Sequence, residues 1–462
     1  MKPFSVRGFN FCESLLRHTP EQLRTFLRRM KTLNMNTVII HYDYGWKRYR
    51  DLILEECEKN GIEIFLMTFG PRTFLTYSDW KPSWFARKTD GTPFTERLEC
   101  ETHLCCFEPE CLAAYEYGAK EWLKHLPPQI RHVHMRAADG LMFCQCEKCR
   151  TMPEQDRWQP FVDLFTKAVL ETRPDLRFET DVYVKRYNIP QNHQAFTQMT
   201  DIMYDTFYRS PQHALVSGTD RCTADMVQYA ASEKNPDAPT AGLYHVNRLR
   251  EWSRAFPGKI YIHENAMAQG LCGTFQYGTG AYLKDLDLFR ELGIRGVCYE
   301  AYEPGFANFA SMFEILAKAM NGEEVEFVPS EMEQAAGRNP VWFDTDPEFP
   351  LEKYIHDPFA LRQHQLYRSI WTGGGLKEMR EYLDFVFENE ERLDLLFTGF
   401  FVLHLMGLHW EKVKFRNLTE LENDFLHRRK LWDFMEDVPV SEDPRKLCRN
   451  LIQSMLAKSE EV

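Results

Sequence analysis

The 462-residue chain is 44% hydrophobic and 27% charged, enough apolar surface for a substantial core, which excludes disorder as its general state. Its length fits one large domain with a smaller one, or two to three ordinary domains. With 56 Lys and Arg against 68 Asp and Glu, the net charge of −12 argues against nucleic acid or an anionic membrane as the main partner, but leaves room for an acidic small molecule in a local arginine pocket.

In chain order, the opening MKPFSVRGFNFCE shows no apolar leader core and no small-residue cleavage site. Strand-like runs then recur at Val6–Cys12, Thr37–Tyr44, Ile62–Phe69, Ile130–Arg136, Arg177–Val184, Ile202–Phe207, Lys259–His263 and Gly293–Tyr299. Helical spacing fills the intervals at Pro20–Leu33 (Thr19 as N-cap), Trp46–Asn60, Cys111–His125, Trp158–Thr172, Tyr244–Phe256, Tyr282–Leu292 and Phe306–Met320. Repeated β-then-α order with nearly continuous apolar strands predicts a parallel sheet covered by helices. Eight such units fit a (β/α)8 TIM barrel over 1–322. The competing doubly wound sheet lacks a glycine-rich phosphate loop after its first strand. Residues 323–350 are acidic and Pro-containing and read as a linker or irregular wrap. From 351 to 462 the pattern is helical, at Leu351–Ile370, Leu376–Glu391, Leu393–Lys414, Leu418–Phe434 and Pro444–Lys458, predicting a C-terminal all-α domain. The apolar stretch Leu395–Trp410 is short of a membrane span. An apolar face with Leu395, Phe401, Leu405 and Leu408 is expected to pack on the barrel or on a second subunit; a homodimer is the preferred reading.

Barrel chemistry sits where strands end. Those ends carry Glu13, Asp43, Asp139, Glu179, Asp181, Asp205, Glu264, Glu300 and Glu303. One such acid alone reads as a loop charge or a helix cap; so many on one rim would repel without a functional reason. Strand alternation places Ile294, Gly296, Cys298 and Glu300 on one face, Ile260, Ile262 and Glu264 on another, and His132, His134 and Arg136 on a third. Glu264 and Glu300 are therefore expected to point into the mouth from adjacent strands. Two positioned carboxyl groups are what glycoside hydrolysis requires, and crowding separates their pKa values. Trp46, Phe69, Phe74, Trp80, Trp84, Tyr204, Tyr208, Tyr299 and Tyr302 offer flat faces for sugar rings or ordinary packing. Arg136, Lys185, Arg186 and Arg209 either bind a substrate carboxylate or neutralise the acidic rim.

Thirteen cysteines without a secretory leader read as reduced thiols and metal ligands, which places the protein in the cytoplasm. Cys144, Cys146 and Cys149 form C-x-C-x-x-C after the fourth strand, and Cys105, Cys106 and Cys111 lie in the preceding top loop. Three thiolates from one loop and one from its neighbour would close a structural, all-sulfur zinc site. The other cysteines read as small apolar residues.

LCCFEPECLAAY followed by DGLMFCQCEKCR resembles the paired motif of a group of bacterial barrel proteins similar to the α-glucuronidases and, more distantly, to β-hexosaminidase-like barrels. The resemblance covers about residues 1–320. It implies a carbohydrate-active barrel and selects Cys105 as the fourth metal ligand. By strand order it implies Asp139 as proton donor, with Asp205 and Glu264 positioning the water. A second resemblance, to inverting exosialidases, sets Glu13 where that family has Asp, and His134 at the fourth strand. Together these predict a hydrolase of a small glycoside bearing a uronate or sialate. Asp139 is the general acid and Glu264, assisted by Asp205 or Glu300, the base. Glu13, Asp43, Trp46, His134, Arg136, Arg186, Tyr208, Arg209 and Tyr302 would hold substrate. The rivals are a non-catalytic sugar-binding barrel and a metal-dependent lyase or isomerase using His41, His132, His134 and His263.

Overall fold

The structure, a computed structural model, describes residues 1–11, 19–42, 45–68, 70–75, 80–94, 103–138, 143–183, 186–207, 209–219, 240–264, 278–300, 306–339 and 346–373, with isolated positions at 378, 381, 382, 384, 385, 388 and 389. Eight parallel strands close into a barrel in chain order: β1 (Val6–Phe11), β2 (Thr37–His41), β3 (Glu63–Met67), β4 (His132–Met135), β5 (Arg177–Val182), β6 (Ile202–Asp205), β7 (Ile260–Glu264) and β8 (Gly296–Glu300). β8 closes the ring on β1, with Val6 opposite Gly296 and Asn10 opposite Glu300. Helices α1 (Pro20–Thr32), α2 (Trp46–Asn60), α3 (Pro109–Lys124), α4 (Gln159–Thr172), α5 (Gln194–Gln198), α6 (Ala241–Ala255), α7 (Thr279–Glu291) and α8 (Phe306–Met320) follow the strands in turn.

Local signals explain the helix starts. Thr19 caps α1 in a reciprocal box, accepting from the Gln22 amide at 3.1 Å while Gln22 Oε1 accepts from the Thr19 amide at 2.9 Å. Thr240 caps α6 through the Leu243 amide, so that helix starts three residues before its apolar pattern becomes visible.

Two apolar layers fix which side chains face inward. Val6, Ile39, Phe65, Met67, Met203, Tyr261 and Cys298 form a cluster inside the ring. Phe9, Val38, Leu66, Val133, Ile262 and Val297 belong to the larger core shared with the helices. Because side chains alternate along a strand, Asn10, His41, His134, Asp205, His263 and Glu300 share the inward face at the C-terminal end. At the opposite end, Arg177 bonds Glu63 at 2.7 Å and Asp201 at 2.7 Å, and Arg295 also pairs with Asp201. The ring is tight there: a Cβ on Gly296 would lie 1.7 Å from the Val6 carbonyl oxygen.

Beyond the barrel, α9 (Glu331–Arg338), α10 (Leu351–Tyr354) and α11 (Pro358–Gly373) follow. Met332, Ala335, Ala336, Phe349, Leu351 and Ile355 make a small core among them. α9 lies in the stretch expected to be irregular; Ser330 caps it by accepting from the Glu333 amide at 3.1 Å. The Gly280 amide bonds Glu333 Oε1 at 2.9 Å, tying α9 to the start of α7. Among the described residues no helix is long and apolar enough to cross a membrane. The later helices expected from the sequence, from Leu393 onward, lie outside the described residues, as does most of Leu376–Glu391.

Candidate active site

The mouth is built from strand ends that the inward parity brings together. Asp205 Oδ2 lies 2.8 Å from His263 Nδ1, His263 Nε2 lies 2.7 Å from Asn10 Nδ2, and Asn10 Oδ1 lies 3.1 Å from His41 Nε2. All four side chains are buried. The roles close consistently: His263 donates from Nδ1 to Asp205 and accepts at Nε2 from the Asn10 amide, while His41 donates to Asn10 Oδ1. Burial first, then Arg136 and the neighbouring imidazoles, holds the His41 imidazole well below its ordinary range. Glu300 stands beside Asn10 in the β8–β1 register and is also buried.

Deeper in the ring, Glu179 Oε1 accepts from Tyr261 Oη at 2.7 Å and from His134 Nδ1 at 2.7 Å, and His132 Nε2 lies 3.2 Å from Oε2. Burial alone would raise this carboxyl, but the two imidazoles outweigh it and hold it at about 2. Glu179 is therefore a fixed anion, suited to orient His134 and unsuited to deliver a proton near neutrality.

Asp181, at the end of β5, meets two arginines. Arg186 Nη2 is 3.0 Å and Arg136 Nε 3.7 Å from Asp181 Oδ2, and Arg136 lies over the Tyr183 ring at 4.8 Å. Burial opposes ionisation of Asp181, yet the guanidiniums hold its carboxyl low. Among the described residues, Arg186 Nε, His134 Nε2 and Asp181 Oδ1 are buried there without a hydrogen-bond partner.

Glu264 corrects the sequence expectation. It shares the face of Ile260 and Ile262, which pack toward the helices, so it lies behind the barrel wall; the β7 residue that reaches the interior is His263. Glu264 Oε2 accepts from Thr206 Oγ1 at 3.0 Å and from Arg209 Nη1 at 3.1 Å. Arg209 also bonds Asp285 Oδ2 on α7 at 2.5 Å, and Asp285 Oδ1 accepts from the Leu215 amide at 2.7 Å. Burial raises Glu264 to about 7 against the pull of Arg209. Arg209, expected to hold substrate, is thus consumed by two protein carboxylates. Trp46 is a second correction. It starts α2 after Gly45, whose φ of 79° turns the chain, and it lines a groove of about 600 Å³ with Tyr42, Phe74, Trp84 and Trp122. That groove runs between α2 and α3 on the side of the barrel, not in the mouth.

Glu13, Asp43, Asp139, Tyr208 and Tyr302 lie outside the described residues. Sequence reading missed Asn10, Tyr261 and Asp285. The alternation that selected Cys298 would have found Asn10 and Tyr261, had β1 and β7 been phased from their glycine and aromatic positions.

The four sulfurs of Cys105, Cys144, Cys146 and Cys149 all lie within 4.8 Å of one another. Among the described residues the other such group is His132, Glu179 and Asp201, where Arg177 and Arg295 already pair with Asp201. No metal-ligand set of this closeness occurs among the described mouth residues.

No protein-family model matches the chain, and no curated protein does. Among solved structures it is similar to an endo-1,4-β-mannanase from Rhizomucor miehei, at 9% identity and TM-score 0.42, over 70% of this chain and 96% of that one. It is also similar to a glycoside hydrolase family 20 β-N-acetylglucosaminidase, at 12% identity and TM-score 0.42, over 74% and 76%. An α-galactosidase from Thermus thermophilus matches at 12% identity and TM-score 0.40, over 71% and 64%. Likeness at this level concerns the barrel and assigns no activity.

Proposed function

We propose that the chain is a glycoside hydrolase working by carboxylate general acid/base catalysis at the C-terminal mouth of the barrel. The observation that carries this reading is the convergence of Asp205 and Glu300 on the inward face, with Asp205 oriented by the His263–Asn10–His41 chain. The His263 N–H at 2.8 Å fixes the direction of the Asp205 carboxylate at the mouth, as a general base or nucleophile there requires. Asp205 is the base or nucleophile, Glu300 its assistant, and Asp139, carried three residues beyond Arg136 on the β4 loop, the acid. Glu264 is withdrawn from this role by its position behind the wall.

The pairing of Arg136 and Arg186 near Asp181 supports a substrate bearing a carboxylate, such as a uronide or sialoside, whose oxygens would meet the Arg186 guanidinium.

Hydrolysis of a panel of aryl glycosides and glycuronides tests the proposal. Asp139→Asn and Glu300→Gln are each expected to lower kcat by about 10²-fold or more. Unchanged rates in both variants would contradict it.

A further inference from the structure

We infer that Cys105, Cys144, Cys146 and Cys149 bind one zinc ion, which fastens the loop after β3 to the loop after β4, and that Cys106 is not a ligand. A tetrahedral ion with Zn–S of about 2.3 Å sets its sulfurs about 3.8 Å apart. Cys105 Sγ lies 3.9 Å from Cys146 Sγ and 3.7 Å from Cys149 Sγ. These distances are too long for a disulfide and match the edges of that tetrahedron. Mutual closeness of all four sulfurs suits a single ion more than a polynuclear iron–sulfur cluster, and a borderline-soft ion fits an all-sulfur set.

The backbone is arranged for negative sulfur. The Arg87 amide points at Cys144 Sγ at 3.3 Å and the Cys149 amide at Cys146 Sγ at 3.5 Å, donors that stabilise ligating thiolates. The two loops are already laid side by side. The Gln145 amide bonds the Arg87 carbonyl across them at 2.6 Å, and within the first loop the Cys105 amide bonds the Trp84 carbonyl at 2.7 Å. Buried Arg157 reaches the Cys144 carbonyl at 3.2 Å. Cys106 Sγ meets Cys149 Sγ at 3.7 Å but stands outside the mutually close set. Four thiolates leave no open position, so the ion clamps and does not react with substrate.

The test uses the full chain purified under reductant without chelator and needs no assay of activity. Metal analysis is expected to find one zinc per chain, retained in Cys106→Ser and lost in the Cys144→Ser, Cys149→Ser double variant. Cobalt exchanged into the unmodified chain is expected to give the visible bands of a tetrahedral thiolate site. Added zinc should raise the Tm of the metal-stripped, reduced chain, a measurement that stands even where the double variant fails to fold. Stoichiometric iron, retention of zinc in the double variant, or a stripped chain whose Tm ignores zinc would overturn the inference.

Discussion

Asp205 and Glu264 end adjacent strands, yet their carboxylates face opposite sides of the barrel wall. Asp205 sits in the interior against His263, whereas Glu264 sits against Arg209 and Thr206 with Asp285 behind. The difference has a pH signature. Glu264 is raised to about 7 in the folded chain, above its range in an unfolded one. The native state therefore holds an extra proton between roughly pH 4.5 and 7, and stability falls as pH rises through that window. Glu264→Gln, which resembles the protonated form, is expected to flatten this slope in a series of thermal melts from pH 4.5 to 7.5; an unchanged slope would count against the assignment. Arg209→Met leaves two buried carboxyls without their cation and is expected to cost about 3–5 kcal/mol in denaturant unfolding. Beside Asp181, Arg186→Met is expected to raise KM for an aryl glycuronide about ten- to a hundredfold while leaving neutral glycosides unaffected.

Among the elements, strands and most helices were legible because each carries its own local period. Runs such as TVIIH and IYIHE are apolar on both faces, as strands buried between ring interior and helices must be. Helix ends were less legible, since Thr240 and Pro109 start α6 and α3 before any apolar repeat can be seen. α5, five residues long, follows a Pro- and Asn-rich stretch with no repeat to detect. α9 was hidden by its acidic first turn, which the helix N-terminus favours but composition alone reads as a linker. The capping box of α1 gives a direct test: Thr19→Ala is expected to lower stability by about 1 kcal/mol, measured by urea unfolding.

For the whole molecule, closure of the ring decides which distant residues meet. Parity within β8 is readable, and the structure sets Cys298, and with it Glu300, inward; for β4 the shared face of His132 and His134 is legible, and their contacts with Glu179 show that it faces inward. For β7 the apolar pair Ile260 and Ile262 suggested an interior face, but a barrel wall is apolar on both sides, so hydrophobicity could not choose between them. The choice was made by long-range contacts: Tyr261 reaching Glu179 across the ring and His263 reaching Asn10. No single strand contains that information. The arginines show the same limit, because only the closed fold reveals that Arg209 has its carboxylates while Arg186 keeps a buried Nε without a partner among the described residues. Asp205 thus faces the ring interior and Glu264 the scaffold. Turnover of an aryl glycoside cleaved by the unmodified chain, compared between Asp205→Asn and Glu264→Gln at a temperature where both are folded, tests this directly. Asp205→Asn is expected to lose about 10²-fold or more in kcat and Glu264→Gln to keep near-normal kcat; the reverse pattern would overturn the assignment of Asp205 to the chemistry.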